Sequence, residues 1–236
     1  MKDGQQAKEF WDARASEDAL YFVDNRSTYG DPDEAWFWTE GETVLDAVLG
    51  SVGAELSPAD RVVEIGCGVG RLTRVICGRA RSVQALDVSP RMLELARRYN
   101  PALSNVEWIE GDGTTLTRID AGTASACVSH VVFQHIPDPA ITLGYVREIG
   151  RVLRPDGWAV FQVSNDPSIH HQRPPRRERL RALLRRAPQG LSHRNWQGSS
   201  VTVAAIRDAA QEGGMEIEAI SGEGTQFCIV RTRKTA

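Results

Sequence analysis

Val62-Val63-Glu64-Ile65-Gly66-Cys67-Gly68-Val69-Gly70 is the stretch on which the reading of this chain turns. An apolar run meets three glycines at alternate positions, with an acid two residues before the first. Leu72, Val75 and Ile76 then recur at helical spacing. Strand, bare turn and helix in that order let a ligand lie directly on the backbone, because a Cβ at the glycines would block the approach or forbid the turn's dihedrals.

Outward from this turn the pattern alternates. Arg61–Ile65 reads as strand one and 71–80 as a helix with one apolar face. Ser82–Asp87 is strand two. Ser89-Pro90 places an N-cap residue before a proline suited to the first helical turn, and Asn100-Pro101 stops that helix. Val106–Glu110 and Ala124–Ser129 are strands three and four, and 139–153 is a helix. Pro155-Asp156-Gly157 is a turn, and 158–163 is strand five. A helix over 201–212 stops at Gly213-Gly214, and two closing strands, Met215–Ser221 and 226–232, flank a Gly-rich turn.

This alternation implies an α/β fold with a mostly parallel sheet covered on both faces. The last two strands lack a crossover helix and should pair antiparallel. Residues 1–60 are helical and aromatic-rich (Phe10, Trp11, Tyr21, Phe22, Trp36, Phe37, Trp38) and belong to no βα unit. They are expected to form an N-terminal helical cap on a core spanning 61–236. Within that core, 166–198 breaks the rhythm with prolines, histidines and arginines, and reads as a substrate-side insertion containing a short helix over 177–186.

Composition is that of an ordinary soluble protein: 236 residues, 25% charged, 41% hydrophobic, net charge −3. The net charge gives no nucleic-acid-seeking field. The charge is uneven, however. Residues 1–60 hold 14 acids and 4 bases, whereas 165–200 hold 8 arginines against Asp166 and Glu178. These segments either face one another or greet an anionic partner. Four scattered cysteines without a CxxC pair argue against a zinc site and fit a reducing compartment. No apolar run suits a signal core or a membrane span, so a cytoplasmic protein is expected, its oligomeric state unspecified.

The glycine spacing is GxGxG, not the GxGxxG of the pyrophosphate fingerprint. Asp87 closes strand two about 20 residues on, where an acid accepts from ribose hydroxyls. Asp112 stands between Gly111 and Gly113 after strand three, where a carboxylate can accept an adenine amino group. Three such features at consecutive strand ends, on the edge where these sheets bind ligands, point to a nucleoside-containing cofactor.

Here the sequence resembles the class I S-adenosylmethionine-dependent methyltransferases, small-molecule branch, over about residues 60–165. The resemblance rests on the glycine stretch, on Ala85-Leu86-Asp87-Val88-Ser89, on Glu110-Gly111-Asp112-Gly113, on the run from Ser129 to Asp138, and on Leu153-Arg154-Pro155-Asp156-Gly157-Trp158. It implies a Rossmann-like seven-stranded sheet of order 3-2-1-4-5-7-6 with strand 7 antiparallel, and S-adenosylmethionine as cofactor. It implies that Glu64, Gly66, Cys67 and Gly68, in the loop closed by Gly70, line the methionine part. Asp87 would hold the ribose, Val88 or Met92 would pack on adenine, and Asp112 would meet the adenine amino group beside Gly113. Ser129 and His130 would lie near the methyl group.

Methyl transfer is an in-line displacement at a sulfonium carbon, so alignment is the protein's main contribution, at best ~7–11 kcal/mol. A base adds roughly 10²–10⁴ in rate when the nucleophile is a hydroxyl. His135 and His130 are the candidates, His135 with the alternative of pinning the turn at Pro137. Asp166, His193 and Trp196 in the insertion are candidate substrate contacts. Metal-dependent catechol methyltransferases also need an acid after strand four, where this chain has Ser129-His130, so no catalytic metal is expected. The leading expectation is an enzyme that methylates O or N of a small molecule, such as a natural-product intermediate. The alternatives are an RNA or protein methyltransferase docking through the Arg-rich 173–194, with nucleic acid the less favoured partner, and a cofactor-binding member that transfers no methyl.

Overall fold

The computed structural model describes residues 2–170 and 187–236. The helix expected over 177–186, and all of the insertion's arginines except Arg194, lie outside the described residues.

The sheet has seven strands in the order β3-β2-β1-β4-β5-β7-β6. β1 (Arg61–Ile65), β2 (Ser82–Asp87), β3 (Val106–Glu110) and β4 (Ala124–Ser129) coincide with the runs read from sequence. They and β5 (Leu153–Val163) pair in parallel, and β7 (Cys228–Lys234) runs antiparallel between β5 and β6 (Met215–Ser221). β4 is buried along its whole length, as a central strand covered on both faces must be.

β5 is longer than its sequence pattern. It starts at Leu153, directly after the helix, and takes the Pro155-Asp156-Gly157 turn into itself. Ala124 pairs Leu153 and Ala126 pairs Trp158, so the turn is an irregularity inside one continuous pairing. Asp156, at φ 62°, supplies the left-handed residue it needs.

The helices are α1 (Lys2–Val23), α2 (Glu34–Gly50), α3 (Arg71–Arg79), α4 (Pro90–Tyr99), α5 (Pro139–Val152), a short α6 (Arg194–Gln197) and α7 (Val203–Glu212). On one sheet face, Val146 and Ile149 of α5 and Ile206 of α7 pack on Phe161 and Val230. On the other, Leu45 and Val48 of α2 and Ile76 of α3 pack on Val62, Val83 and Val160. The four cysteines are free thiols inside these layers. No described helix is long and apolar enough to cross a membrane.

α1 is the element that turns the sheet edge into a closed chamber. It kinks at Asp18, whose carboxylate accepts from Tyr21 N (3.1 Å) and Gly30 N (2.7 Å), restarting the helix as a cap residue would. The rest of α1 lies across the carboxyl ends of the strands. Asp12 accepts from the Ser89 hydroxyl and from Arg91 N (3.1 Å), capping α4 from outside. Lys8 pairs Glu110 at the end of β3, and Gly4 sits so close to the Asp112 carbonyl that a Cβ there would collide with it.

Asp12→Ala should therefore act at two levels. Loss of the borrowed cap should cost about 1 kcal/mol in urea denaturation. Amide exchange should accelerate along α1 while the β1 amides keep their protection.

Candidate active site

The glycine turn is built for close approach. Gly66, Gly68 and Gly70 all hold positive φ (75°, 54° and 87°), a region closed to most side chains. A Cβ on Gly66 would run into Val132, and one on Gly68 would press on Val23 of α1. Gly70 serves a different purpose: its missing Cβ admits Asn100 and Trp108, seating α3 beside α4 and β3. Gly66 and Gly68 thus line a chamber under α1, together with Cys67, Val88, Met92 and Gly113.

Two carboxylates face this chamber from adjacent strand ends. Asp87 accepts from Gly68 N (2.9 Å) and Ser89 N (2.9 Å), so one side chain fixes the glycine turn and the start of α4. Glu64 accepts from the Thr73 hydroxyl at 2.5 Å. Burial pushes Glu64 up to about 7 and Asp87 up to about 6, with Asp87 adding to the shift of Glu64. Asp112 behaves otherwise. Burial opposes its charge, but hydrogen bonds from Thr115 and Thr114 hold it below the ordinary range. Its carboxylate folds back on its own loop, and Gly113 and Thr115 face the chamber instead. Ser129 is likewise turned away, donating to Ile65 O (3.1 Å) and tying β4 to β1.

A second cavity opens behind the first, between α1, α2, the 187–198 segment and the β6–β7 turn. Phe22, Val23, Arg71, His130, Val131 and His135 line both cavities and form the neck between them. Val131 is the strained point of this neck, a β-branched residue at φ 56°. Its N–H donates to Gln162 Oε1 (2.8 Å), one residue before the end of β5. Gln162 is fully buried, and its Nε2 donates to Gln226 O (2.5 Å) and Gln134 Oε1 (2.9 Å). Because Val131 N–H can only donate and Gln226 O can only accept, both amides are oriented without ambiguity.

That wire ends at His135. Gln134 Nε2 lies 3.2 Å from His135 Nε2, and His135 Nδ1 lies 2.8 Å from Trp196 O. A carbonyl can only accept, so Nδ1 carries the proton and Nε2 accepts from the amide. Both ring nitrogens are engaged, and the imidazole latches the loop after β4 to the 187–198 segment. His170 repeats the device one carbonyl further on, with Nδ1 at 2.5 Å from Gln197 O and Nε2 at 2.7 Å from Ser164 Oγ. His130 differs: its Nδ1 is buried without a hydrogen-bond partner. Burial lowers both His130 and His135 to about 4, so both are neutral at ordinary pH.

Trp196 packs against Trp11, Phe22 and His135 and lines the second cavity. His193 stacks on Phe10 (centroids 4.5 Å apart) and caps α6, away from either cavity. Asp166 caps its own loop through Ser168 N (2.8 Å) and Oγ (2.6 Å), also off the cavity walls. Sequence reasoning overlooked Arg71 and Asn195. Arg71, nine-tenths buried, pairs Asp24 in the neck and leaves Nε without a partner; Asn195, also buried, leaves Oδ1 so. Only their immediate neighbourhood, a helix start and an irregular loop, was visible in one dimension.

The comparisons with known proteins agree with this architecture. A family model described as a methyltransferase domain matches residues 63–161. The chain is 33% identical over 107 residues, 43% of its length and 38% of the relative's, to a malonyl-[acyl-carrier protein] O-methyltransferase of Halalkalibacterium halodurans. It is 43% identical over 82 residues, 34% of its length and 28% of the relative's, to a probable ribosomal RNA small subunit methyltransferase A of Thermococcus onnurineus. Over 175 residues it is 26% identical to a ubiquinone biosynthesis O-methyltransferase of Xanthomonas axonopodis pv. citri, covering 72% of this chain and 69% of that one. The chain thus spans well under half of the first two. Among solved structures, the N-methyltransferase NodS of Bradyrhizobium japonicum superposes with a TM-score of 0.63 at 16% identity, over 98% of this chain and 99% of that one. Residues 63–161 thus match a methyltransferase domain, and that domain and the shared fold implicate S-adenosylmethionine as cofactor.

Glu64 gives a test of the site's electrostatics. Its folded-state value, about 7, lies above its unfolded one, so the folded protein holds a proton that the unfolded chain releases. Its contribution to stability therefore falls as pH rises from about 4.5 to about 7 and is level beyond. Glu64→Gln, which keeps an acceptor for Thr73, should match the wild type near pH 5 and exceed it by roughly 2–3 kcal/mol at pH 8 in denaturant titrations without ligand.

Proposed function

We propose that this protein transfers the methyl group of S-adenosylmethionine to an oxygen or nitrogen of a small molecule. The observation that carries the proposal is the chamber under the glycine turn, with two buried carboxylates on one wall and a narrow neck into a second cavity. The chamber fits the cofactor on two counts. Gly66 and Gly68 line it with a cradle of bare left-handed backbone, and Glu64 and Asp87 hold acidic groups that a cationic ligand would ionise. In this reading Glu64, Gly66, Cys67 and Gly68 hold the methionine portion, Asp87 the ribose, and Val88, Met92 and Gly113 the adenine. When bound, the cofactor supplies an electrophilic methyl group on a sulfonium.

The chain's own residues do three things. The cradle and Asp87 fix one reactant, and the second cavity receives the other through the neck. α1, α2 and the 187–198 segment enclose both, which favours a small acceptor and keeps water out. His130, at the neck with an uncommitted ring nitrogen, is the residue that meets the acceptor's reacting group, while His135 holds the loop that carries it.

Isothermal titration with S-adenosylhomocysteine and turnover with labelled S-adenosylmethionine test these assignments. Gly68→Ala, forced into a left-handed backbone at about 1–2 kcal/mol, should weaken binding tenfold or more with an unchanged circular dichroism spectrum. His130→Ala should lower turnover at least a hundredfold while leaving S-adenosylhomocysteine affinity within threefold. Binding of the cofactor with conversion of an acceptor but no transfer of label would overturn the methyltransferase reading.

A further inference from the structure

We propose that the acceptor reacts through an ionised oxygen, a carboxylate or phenolate, seated at the neck between Arg71 Nε and His130 Nδ1. The proposal rests on the methyltransferase reading and narrows its oxygen-or-nitrogen acceptor to one class.

The neck presents two buried, unsatisfied polar atoms. Arg71 is the first residue of α3, and its side chain is 6% exposed. Its Nη1 pairs Asp24 at the end of α1, and its guanidinium lies over the Phe37 ring, 5.3 Å from the centroid. Its Nε remains without a partner. An arginine Nε is a donor under all conditions. Leaving one buried and unpaired costs on the order of 1–3 kcal/mol, a cost that an incoming acceptor atom removes. His130 Nδ1 is the second orphan, and in the neutral imidazole it too can carry a proton to donate. Both residues line the chamber and the second cavity alike. Two donor-capable atoms without partners, on residues that border both cavities, would together receive an oxygen with free lone pairs.

Pairing rather than net charge favours an oxygen there over an ammonium. Among the described residues, the ionisable groups at the neck are Arg71, Arg26, Asp24, His130 and His135, with Glu40 behind Arg26, and the two arginines are matched by the two carboxylates. Asp24 is fully engaged, accepting from Arg71 and from Arg26 through both oxygens. No carboxylate oxygen remains for a protonated amine. The second cavity offers an apolar body the walls Val44, Val48, Ile169, Leu191, Trp196 and Phe227, beside a polar side formed by Asn25, Gln134, His170, Gln197 and Gln226. The acceptor is therefore an oxygen acid on an apolar frame.

The step balances without an added base. A lone pair of the ionised oxygen forms the new O–CH₃ bond, and the S–CH₃ bond breaks with its pair passing to sulfur. Anion and sulfonium become a neutral ester or ether and a neutral thioether. No proton moves, so neutral His130 acts as a hydrogen-bond donor to the reacting oxygen. Loss of opposite charges in a buried neck, away from bulk water, is favoured over the same loss in water.

Three probes on one frame test the idea: 3-phenylpropionate, 3-phenylpropionamide and 3-phenylpropylamine. Each is titrated into the full chain saturated with S-adenosylhomocysteine and read through the fluorescence of Trp11 and Trp196. The carboxylate should bind at least tenfold more tightly than the amide, and the amine most weakly. Arg71→Met should bring carboxylate and amide within threefold of each other. Because Asp24 is then left unpaired and the fold can suffer, Arg71→Lys is the second variant. It keeps the ion pair but lacks Nε, and should lose most of the preference. His130→Phe should reduce it as well.

Tightest binding by the amine, or no charge preference in the wild type, would overturn the proposal while leaving the cofactor reading intact. So would Arg71→Lys that weakens S-adenosylhomocysteine tenfold, spares 5′-methylthioadenosine and keeps the probe order, since Arg71 would then serve the cofactor's own carboxylate. Failure of the wild type to bind S-adenosylhomocysteine would instead overturn the reading beneath it.

Discussion

The hydrogen bond from Gly68 N–H to the Asp87 carboxylate is the interaction on which the carboxyl edge of this sheet depends. It joins the end of β2 to the turn that leaves β1, and the other carboxylate oxygen holds the backbone at Ser89. The turn can adopt three left-handed residues within five because nothing but hydrogen occupies their Cα positions and because an acid stands beside it to receive an N–H. Each requirement has a cost. The glycines give up side-chain packing, and the buried acid is raised to about 6. Both features serve the turn itself, and both suit the proposed ligand, which would cover the backbone and bring positive charge.

The cap is fastened to the same edge by side chains that do structural and boundary work together. Asp12 ends in the cap of α4, Lys8 at the end of β3, and Asp24 on Arg71 at the start of α3. Val23 lies against Gly68. α1 therefore touches the cradle with an apolar side chain and the neck with a charged one, and its position sets both volumes. Between these ties Phe10, Ala15, Ala19, Leu20 and Phe22 are buried, so the helix is seated by apolar packing as well as by the cap and the ion pairs.

How much of this was legible in the sequence follows from the range of each interaction. The strands, the helices and the antiparallel closing pair follow from local patterns of period two and 3.6 and from the absence of a crossover helix before β7, whereas the strand order comes only from the family resemblance. The glycine turn and Asp87 were legible because the residues that make the cradle are adjacent or fixed by a short βα unit. Asp112 illustrates where this fails: its position was foreseen, but Thr114 and Thr115 compete for its carboxylate two and three residues away. His135 was noticed as an imidazole without its partners, since Trp196 O lies 61 residues on and Gln162 contributes from the carboxyl end of another strand. Gln162 reads as an ordinary polar residue in a strand. Its meaning appears only when the strained Val131 is found above it.

The two ends of the site carry opposite electrostatic demands, and this organises its chemistry. On the cofactor side, Glu64 and Asp87 are acids whose ionisation is opposed by burial and invites a cation. At the neck, Arg71 and Arg26 share a fully engaged Asp24, Arg26 also pairs Glu40, and two donor-capable atoms stand unsatisfied. A sulfonium drawn to the first end and an oxyanion drawn to the second would meet at Val131, where the backbone is held in a left-handed conformation by Gln162. Each reactant charge is compensated by the protein before the step, and the step removes both. Fixed dipoles and charges that need not reorganise as bonds change are the most effective use of a buried polar site. The strain at Val131 fits the same logic: a wall that must aim a histidine between two cavities is better held by a buried amide than left to the preferences of its own backbone.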